Sequence, residues 1–238
     1  MLCLFRQSAL PLAGADVVIE CSAQAKSEKL STPNCAVNTH DTSQRQLLQV
    51  PEIHRAHRPR WLASLCRMLL RCLGWRIIGE FPSDPRLVLV AGPHTSNWDF
   101  LVGMTAMLAL DLRIHWVGKH TLFFKPFGGF MNWLGGIPVN RSAPEGFAEQ
   151  IARRIRGGEQ AVIAITPEGT RKKVAKLKTG FSRIARETPC PILPVTLDYG
   201  SKQIRLYPVR DAGADSEADA VEVRRLFATV VAKVPARF

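Results

Sequence analysis

The chain has 238 residues, 46% of them hydrophobic, with 32 lysines and arginines against 20 acids and a net charge of +12. The length suits one domain with a real buried core, and no uninterrupted apolar run reaches the roughly 18 residues that a membrane-crossing helix needs. The basic excess calls for an anionic partner, whether nucleic acid, lipid headgroups or a phosphorylated small molecule.

Residues 1–50 are rich in Ser, Thr, Gln and Asn and show no periodicity; their four cations balance four acids, so the whole positive excess lies in 51–238. They read as a disordered tail, or an upstream extension from a misplaced start codon, with a domain boundary expected at 54/55 and the functional domain over 55–238. The start, MLCLFRQSALPLAGADVV, loosely resembles a signal peptide, but Arg6 is its only early charge and Gln7, Ser8 and Pro11 break the apolar run. Secretion is therefore not expected. The six cysteines (Cys3, Cys21, Cys35, Cys66, Cys72, Cys190) form no C-x-x-C pair and no zinc spacing, which suits free thiols in a reducing cytoplasm and no metal site.

Residues 53–79 carry six arginines and no acid. Within them Leu62, Leu65, Leu69 and Leu73 recur at helical spacing, so 61–75 reads as a basic amphipathic helix. It is either a membrane-surface anchor with Trp61 and Trp75 at the interface, or a core-packing helix with a solvated arginine face. Leu87–Ala91 reads as a buried strand, Phe100–Leu110 as an apolar helix and Ile114–Val117 as a short strand. Residues 121–139, TLFFKPFGGFMNWLGGIPV, are apolar but rich in glycine and proline. They read as a hydrophobic loop or lid touching acyl chains or a bilayer, or else as an apolar connection in the core. Phe147–Arg156 reads as a helix stopped by glycines, Ala161–Ile165 as a second buried strand, Thr179–Arg186 as a helix, Ile192–Leu197 and Gln203–Tyr207 as strands, and Glu217–Val234 as a closing helix. Near-continuous apolar strands between helices predict an α/β fold: a layered domain with a mostly parallel central sheet flanked by helices, preceded by the amphipathic helix.

Two short segments carry chemistry. GPHTSNWD places His94 five residues before Asp99, just after the first buried strand. On one continuous helix that offset is about 140° and the side chains would diverge. They meet only if His94 sits in the loop at the strand's carboxyl end and Asp99 in the first helical turn. Asp99 would then fix the imidazole tautomer while the other ring nitrogen takes a proton from an attacking hydroxyl. Ser96-x-x-Asp99 is equally a capping box, so Asp99 has a purely structural reading too. TPEGTR, 166–171, follows the second buried strand; Gly169 allows a tight turn and Arg171 offers a planar fork to phosphate. Arg141 adds a second cation after a glycine-rich stretch, and from Arg171 to Arg186 there are seven basic residues and no acid.

The order His94-x4-Asp99, then Gly135-Gly136-Ile137-Pro138-Val139-Asn140-Arg141, then Pro167-Glu168-Gly169-Thr170-Arg171, then Ile192-Leu193-Pro194-Val195 resembles the four-block signature of glycerolphosphate acyltransferases of the PlsC-like type, over roughly residues 60–210. Asn140 stands where an acid commonly precedes the arginine, and Thr166 where phenylalanine is frequent. The resemblance implies His94 as general base and Asp99 as its orienter. It implies Arg141, Glu168, Gly169, Thr170 and Arg171 around the acceptor phosphate, Pro194 and Val195 beside the acyl chain, and no metal, cofactor or covalent intermediate. Phe123, Phe124, Phe127 and Trp133 are expected to touch the acyl chain or the bilayer. The implied partners are acyl-CoA or acyl carrier protein as donor, a lysophospholipid acceptor and an anionic membrane surface, with a peripheral location on the cytoplasmic face of the inner membrane. No nucleic acid is expected, since the basic run lacks interleaved aromatics. Another lipid acceptor, or water in a thioesterase, remains the alternative for the same dyad.

Overall fold

The computed structural model describes residues 48–139, 146–157 and 161–238. Seven strands appear in chain order: β1 (Arg76–Ile78), β2 (Arg86–Gly92), β3 (Ile114–Lys119), β4 (Gly136–Val139), β5 (Ala161–Ile165), β6 (Ile192–Asp198) and β7 (Gln203–Leu206). The helices are α1 (Arg60–Cys72), α2 (Asn97–Ala109), α3 (Gly128–Trp133), α4 (Phe147–Arg156), α5 (Gly180–Glu187) and α6 (Ser216–Phe227). The strands form one sheet in the order β1-β7-β6-β2-β5-β3-β4, parallel throughout except for the β6–β7 pair.

Strand periodicity divides the core into two layers. Along β2, Leu87 and Leu89 join Cys66, Leu70, Val102 and Met107 on the α1/α2 side. The intervening Val88 and Val90 join Ile151, Ile155, Phe181, Ile184, Val223 and Phe227 on the α4/α5/α6 side. A strand covered on both faces needs apolar residues at every position, which is why β2, β5 and β6 stand out as apolar runs.

Four expectations are corrected. Residues 48–54 belong to the packed chain rather than to a tail: Val50 and His54 are buried, Glu52–His54 form a 3₁₀ turn, and Arg55 bridges to Leu112. The expected boundary at 54/55 therefore falls inside the packed chain, and residues 1–47 lie outside the described set. The core-packing reading of the 61–75 leucine stripe holds only for Leu62, which packs against the core. Instead α1 buries Ala63, Cys66 and Leu70, while Leu65, Leu69 and Leu73 stay about half exposed. Trp75, expected at an interface in the membrane reading, is buried. Residues 120–139 are not irregular throughout. A 3₁₀ turn at His120–Leu122 leads to α3 and then to β4, whose edge position leaves the missing N–H of Pro138 harmless. The closing helix stops at Phe227 rather than Val234, because the Val231 amide is drawn away to Asp198 Oδ1 at 3.0 Å.

Gly92 ends β2 where the ring of Phe227 crosses the backbone; a Cβ there would lie 2.1 Å from Phe227 Cε2. Gly92→Ala forces the loop that follows β2 away from α6. It should cost about 1–3 kcal/mol in a denaturant titration, with a loss of enzymatic activity larger than a simple stability loss explains.

Candidate active site

The parallel pairing of β2 with β5 and β6 brings their carboxyl ends together. Val90 lies opposite Ile165, and Gly92 opposite Thr196. The loops that follow carry His94 from β2 and Glu168 from β5. Chain order reverses around β2, with α2 leading to one side of the sheet and α5 to the other, and open α/β sheets place ligands at such a point.

Asp99 is the third residue of α2, and its side chain is 4% exposed. Its Oδ2 accepts the amides of Thr95 and Ser96, both at 2.7 Å, while the Ser96 hydroxyl accepts the Trp98 amide at 3.2 Å. This is a complete capping box. The same Oδ2 lies 3.3 Å from His94 Nδ1. The two readings of Asp99 are thus one arrangement: it caps the helix and holds the imidazole. A hydrogen bond at Nδ1 fixes the proton there and leaves Nε2 to take a proton from a substrate. The His94 side chain is 22% exposed, so it is open to a ligand.

Glu168 approaches from the β5 side, where its Oε1 accepts the His94 amide at 2.9 Å. Two buried acids therefore flank one histidine, and their environments drive them apart. Burial works to raise Asp99, but bonds from His94 and from the Ser96 and Thr95 amides, with the nearby Tyr199 phenol, outweigh it and hold the carboxyl below its ordinary range. Burial dominates at Glu168 and raises it, with the Asp99 charge adding to the effect against bonds from the His94 and Glu168 amides. Its Oε2 is enclosed without a hydrogen-bond partner among the described residues. The two carboxyls are thus shifted in opposite directions, a division found where acid–base work is done.

A family model for acyltransferases matches residues 76–198, which span every strand but β7 and contain His94, Asp99 and Glu168. The chain belongs to the acyltransferase family. Among solved structures, the 1-acyl-sn-glycerophosphate acyltransferase PlsC of Thermotoga maritima matches with a TM-score of 0.52 and 18% identity, over 71% of this chain and 76% of that one. At that identity the likeness is one of fold. No curated protein matches the sequence.

The other expected site residues of this acyltransferase divide. Gly169 has a φ of +63° and closes a turn through its amide to Thr166 O at 3.0 Å, a backbone shape that favours glycine. Thr170 accepts the Lys172 amide at 3.3 Å, and Arg171 is exposed on the same loop without an ion pair among the described residues. The Glu168 carboxyl meets the His94 backbone through Oε1, so it contacts the loop that carries the histidine. Pro194 and Val195 are buried in the central strand β6, where they build the sheet. Phe123 turns inward and stacks on Trp116 at 5.8 Å, whereas Phe124, Phe127 and Trp133 are half exposed. Arg141 lies outside the described residues.

Three contributors carry little signal in sequence. Lys178 folds its side chain over Gly169 while its amide closes the loop onto Pro167 O at 2.8 Å. It looks like one more residue of a basic run. Thr95 is fully enclosed, and the C-terminal segment holds it: the Val234 amide donates to Thr95 Oγ1 at 3.1 Å and Arg237 to Thr95 O at 3.2 Å. Contacts spanning about 140 residues leave no local pattern.

The raised Glu168 carboxyl gives a signed prediction. The folded chain binds this proton more tightly than the unfolded chain. That stabilisation is present below the ordinary carboxylate range and is lost as pH rises through the raised value. Glu168→Gln keeps an acceptor for the His94 amide and removes the titration. Its melting temperature should gain on wild type as pH goes from about 5 to about 8; parallel curves would show that Glu168 is not held neutral.

Proposed function

We propose that this acyltransferase moves a fatty acyl group from acyl-CoA or acyl carrier protein to the hydroxyl of a lysophospholipid, with 1-acylglycerol-3-phosphate as acceptor and phosphatidate as product. The contact of His94 Nδ1 with Asp99 Oδ2 carries the reading. With Nδ1 protonated, Nε2 takes the proton of the acceptor hydroxyl as its oxygen attacks the thioester carbonyl. The tetrahedral intermediate collapses, the C–S bond breaks, and the imidazolium returns its proton to the departing thiolate. The balance is thioester plus alcohol to ester plus thiol, and no covalent enzyme intermediate is needed. Asp99 stabilises the imidazolium between these steps.

Two features support a phosphate-bearing lipid acceptor. The loop after β5 offers exposed Arg171 and Lys178 beside the Glu168 contact to His94. Apolar surface also begins at the site itself: Trp98, next to Asp99, is 58% exposed, and Leu101 follows one turn later. Trp61 and Met68 of α1 and Phe124, Phe127, Phe130 and Trp133 around α3 are also half or more exposed. Trp133 carries the Arg58 guanidinium 5.6 Å above its ring. Aromatics mixed with arginines suit the headgroup region of an anionic membrane, and no described helix is long and apolar enough to cross one. A peripheral position on the cytoplasmic face of the inner membrane follows from this reading.

His94→Ala should lower kcat about 10²–10⁴-fold in a lysolipid acylation assay read by mass spectrometry, with an unchanged melting temperature. A folded variant with wild-type transfer would remove His94 from the chemistry. Arg171→Ala should raise the KM for 1-acylglycerol-3-phosphate while leaving that for acyl-CoA near wild type; equal effects on both would place the arginine elsewhere. In flotation with vesicles containing phosphatidylglycerol, Trp61→Ser combined with Phe127→Ser should reduce the bound fraction without lowering the melting temperature.

A further inference from the structure

Asp99 has a second carboxylate oxygen. Oδ2 takes the His94 ring and two loop amides, whereas Oδ1 is sealed from solvent and receives none of these donors. The hydroxyl of Tyr199 is likewise shut off from solvent and, like Oδ1, has no hydrogen-bond partner among the described residues; Glu168 Oε2 and Thr196 Oγ1 share that state. The sheet explains why Tyr199 lies near Asp99. Gly92 pairs with Thr196, so Tyr199, three residues further along the chain, leaves β6 at the end where the His94 loop leaves β2. The phenol and the Asp99 carboxylate are near enough for each to shift the other's ionisation.

We propose that Tyr199 is a positioning residue for the base, donating its O–H to Asp99 Oδ1 and so completing a chain Tyr199–Asp99–His94. This inference rests on His94 and Asp99 being the base and its orienter. With donors on both oxygens the carboxylate cannot rotate about its Cβ–Cγ bond, and the direction of the Nδ1 bond is set. Glu168 reaches His94 from the other side through the backbone amide, so the histidine is fixed at two points.

The surroundings of Tyr199 are built to hold it. Its ring meets Trp75 edge-on at 4.9 Å and 90°, and its amide donates to Val231 O at 2.8 Å. The Lys233 ammonium sits 5.3 Å above the ring. Burial and the adjacent Asp99 charge push ionisation of the phenol far above its ordinary range, so the group stays a donor. A tyrosine kept only for packing would have no need to enclose its hydroxyl against a buried carboxylate, because phenylalanine fills the same space without an oxygen to desolvate. Tyr199 falls one residue beyond the stretch matched by the family model.

The test is a double-substitution cycle on the acylation of 1-acylglycerol-3-phosphate by acyl-CoA, with folding checked by thermal melting. Tyr199→Phe removes one oxygen and keeps the ring against Trp75. Loss of a hydrogen bond to a charged group should lower kcat about ten- to a hundredfold, with the acceptor KM within about twofold of wild type. In an Asp99→Asn background the same change should cost nothing further, since the tyrosine acts only through Asp99. Wild-type kcat in Tyr199→Phe beside a crippled Asp99→Asn would overturn the role of Tyr199 and leave the dyad standing. So would an equal loss in both backgrounds, which marks a purely structural residue. An unimpaired Asp99→Asn enzyme would overturn the reading of the site itself.

Discussion

A buried carboxylate at the start of a helix governs this structure's active end. Removing Asp99 from water is costly unless donors replace the lost solvation. They come from the Thr95 and Ser96 amides, from His94 and from the N-terminal field of α2. Two of those donors belong to the backbone loop that carries the histidine. The interactions that make the burial tolerable therefore also fix the loop and aim the ring. Helix initiation and orientation of the base cannot be separated by any change at this position, which makes the other contacts of the loop the informative ones.

The sheet supplies the partner that the loop itself lacks. Parallel strands end together, so the loops after β2, β5 and β6 meet at one edge although they are far apart in sequence. Glu168 enters from β5 and bonds to the backbone of His94 rather than to its ring. The upward shift of its carboxyl follows from that geometry: the few backbone donors do not compensate its burial, whereas the several donors around Asp99 do. Two acids within one small volume are thus shifted apart, the lowered one facing the imidazole and the raised one bonded to the chain.

The layered fold is largely legible in the sequence because its central strands are covered on both faces. Only continuous apolar runs such as Leu87–Val90 and Ala161–Ile165 can fill such positions, and those runs mark β2 and β5 closely. The short strands β1 and β4 escape the same reading: each has at most four residues, and β4 contains a glycine and a proline. In α1 the leucines dominate the pattern, yet the buried face is formed by Ala63, Cys66 and Leu70, smaller on average and so less conspicuous. Of the site, His94 and Asp99 are legible through their spacing, because a five-residue offset is workable only across a loop and a helix start. Glu168 is visible as part of a motif, but its bond to a histidine 74 residues away is not. Thr95 carries no pattern of its own, and the segment that holds it lies near the other end of the chain.

That last segment changes how the catalytic loop should be pictured. Beyond α6 the chain runs back along the active edge: the Val231 amide goes to Asp198, that of Val234 to Thr95 Oγ1, and Arg237 to Thr95 O. Arg224 of α6 lies 5.5 Å over the ring of Phe238 and bonds Val174 O in the basic loop at 3.0 Å. The His94 loop is therefore held from α2 by Asp99, from β5 by Glu168 and from the C-terminal segment by two bonds to Thr95. Each contact is worth little alone against the conformational entropy of a loop. Together they leave His94 few alternative positions, the restriction that the proposed proton transfer from a hydroxyl requires.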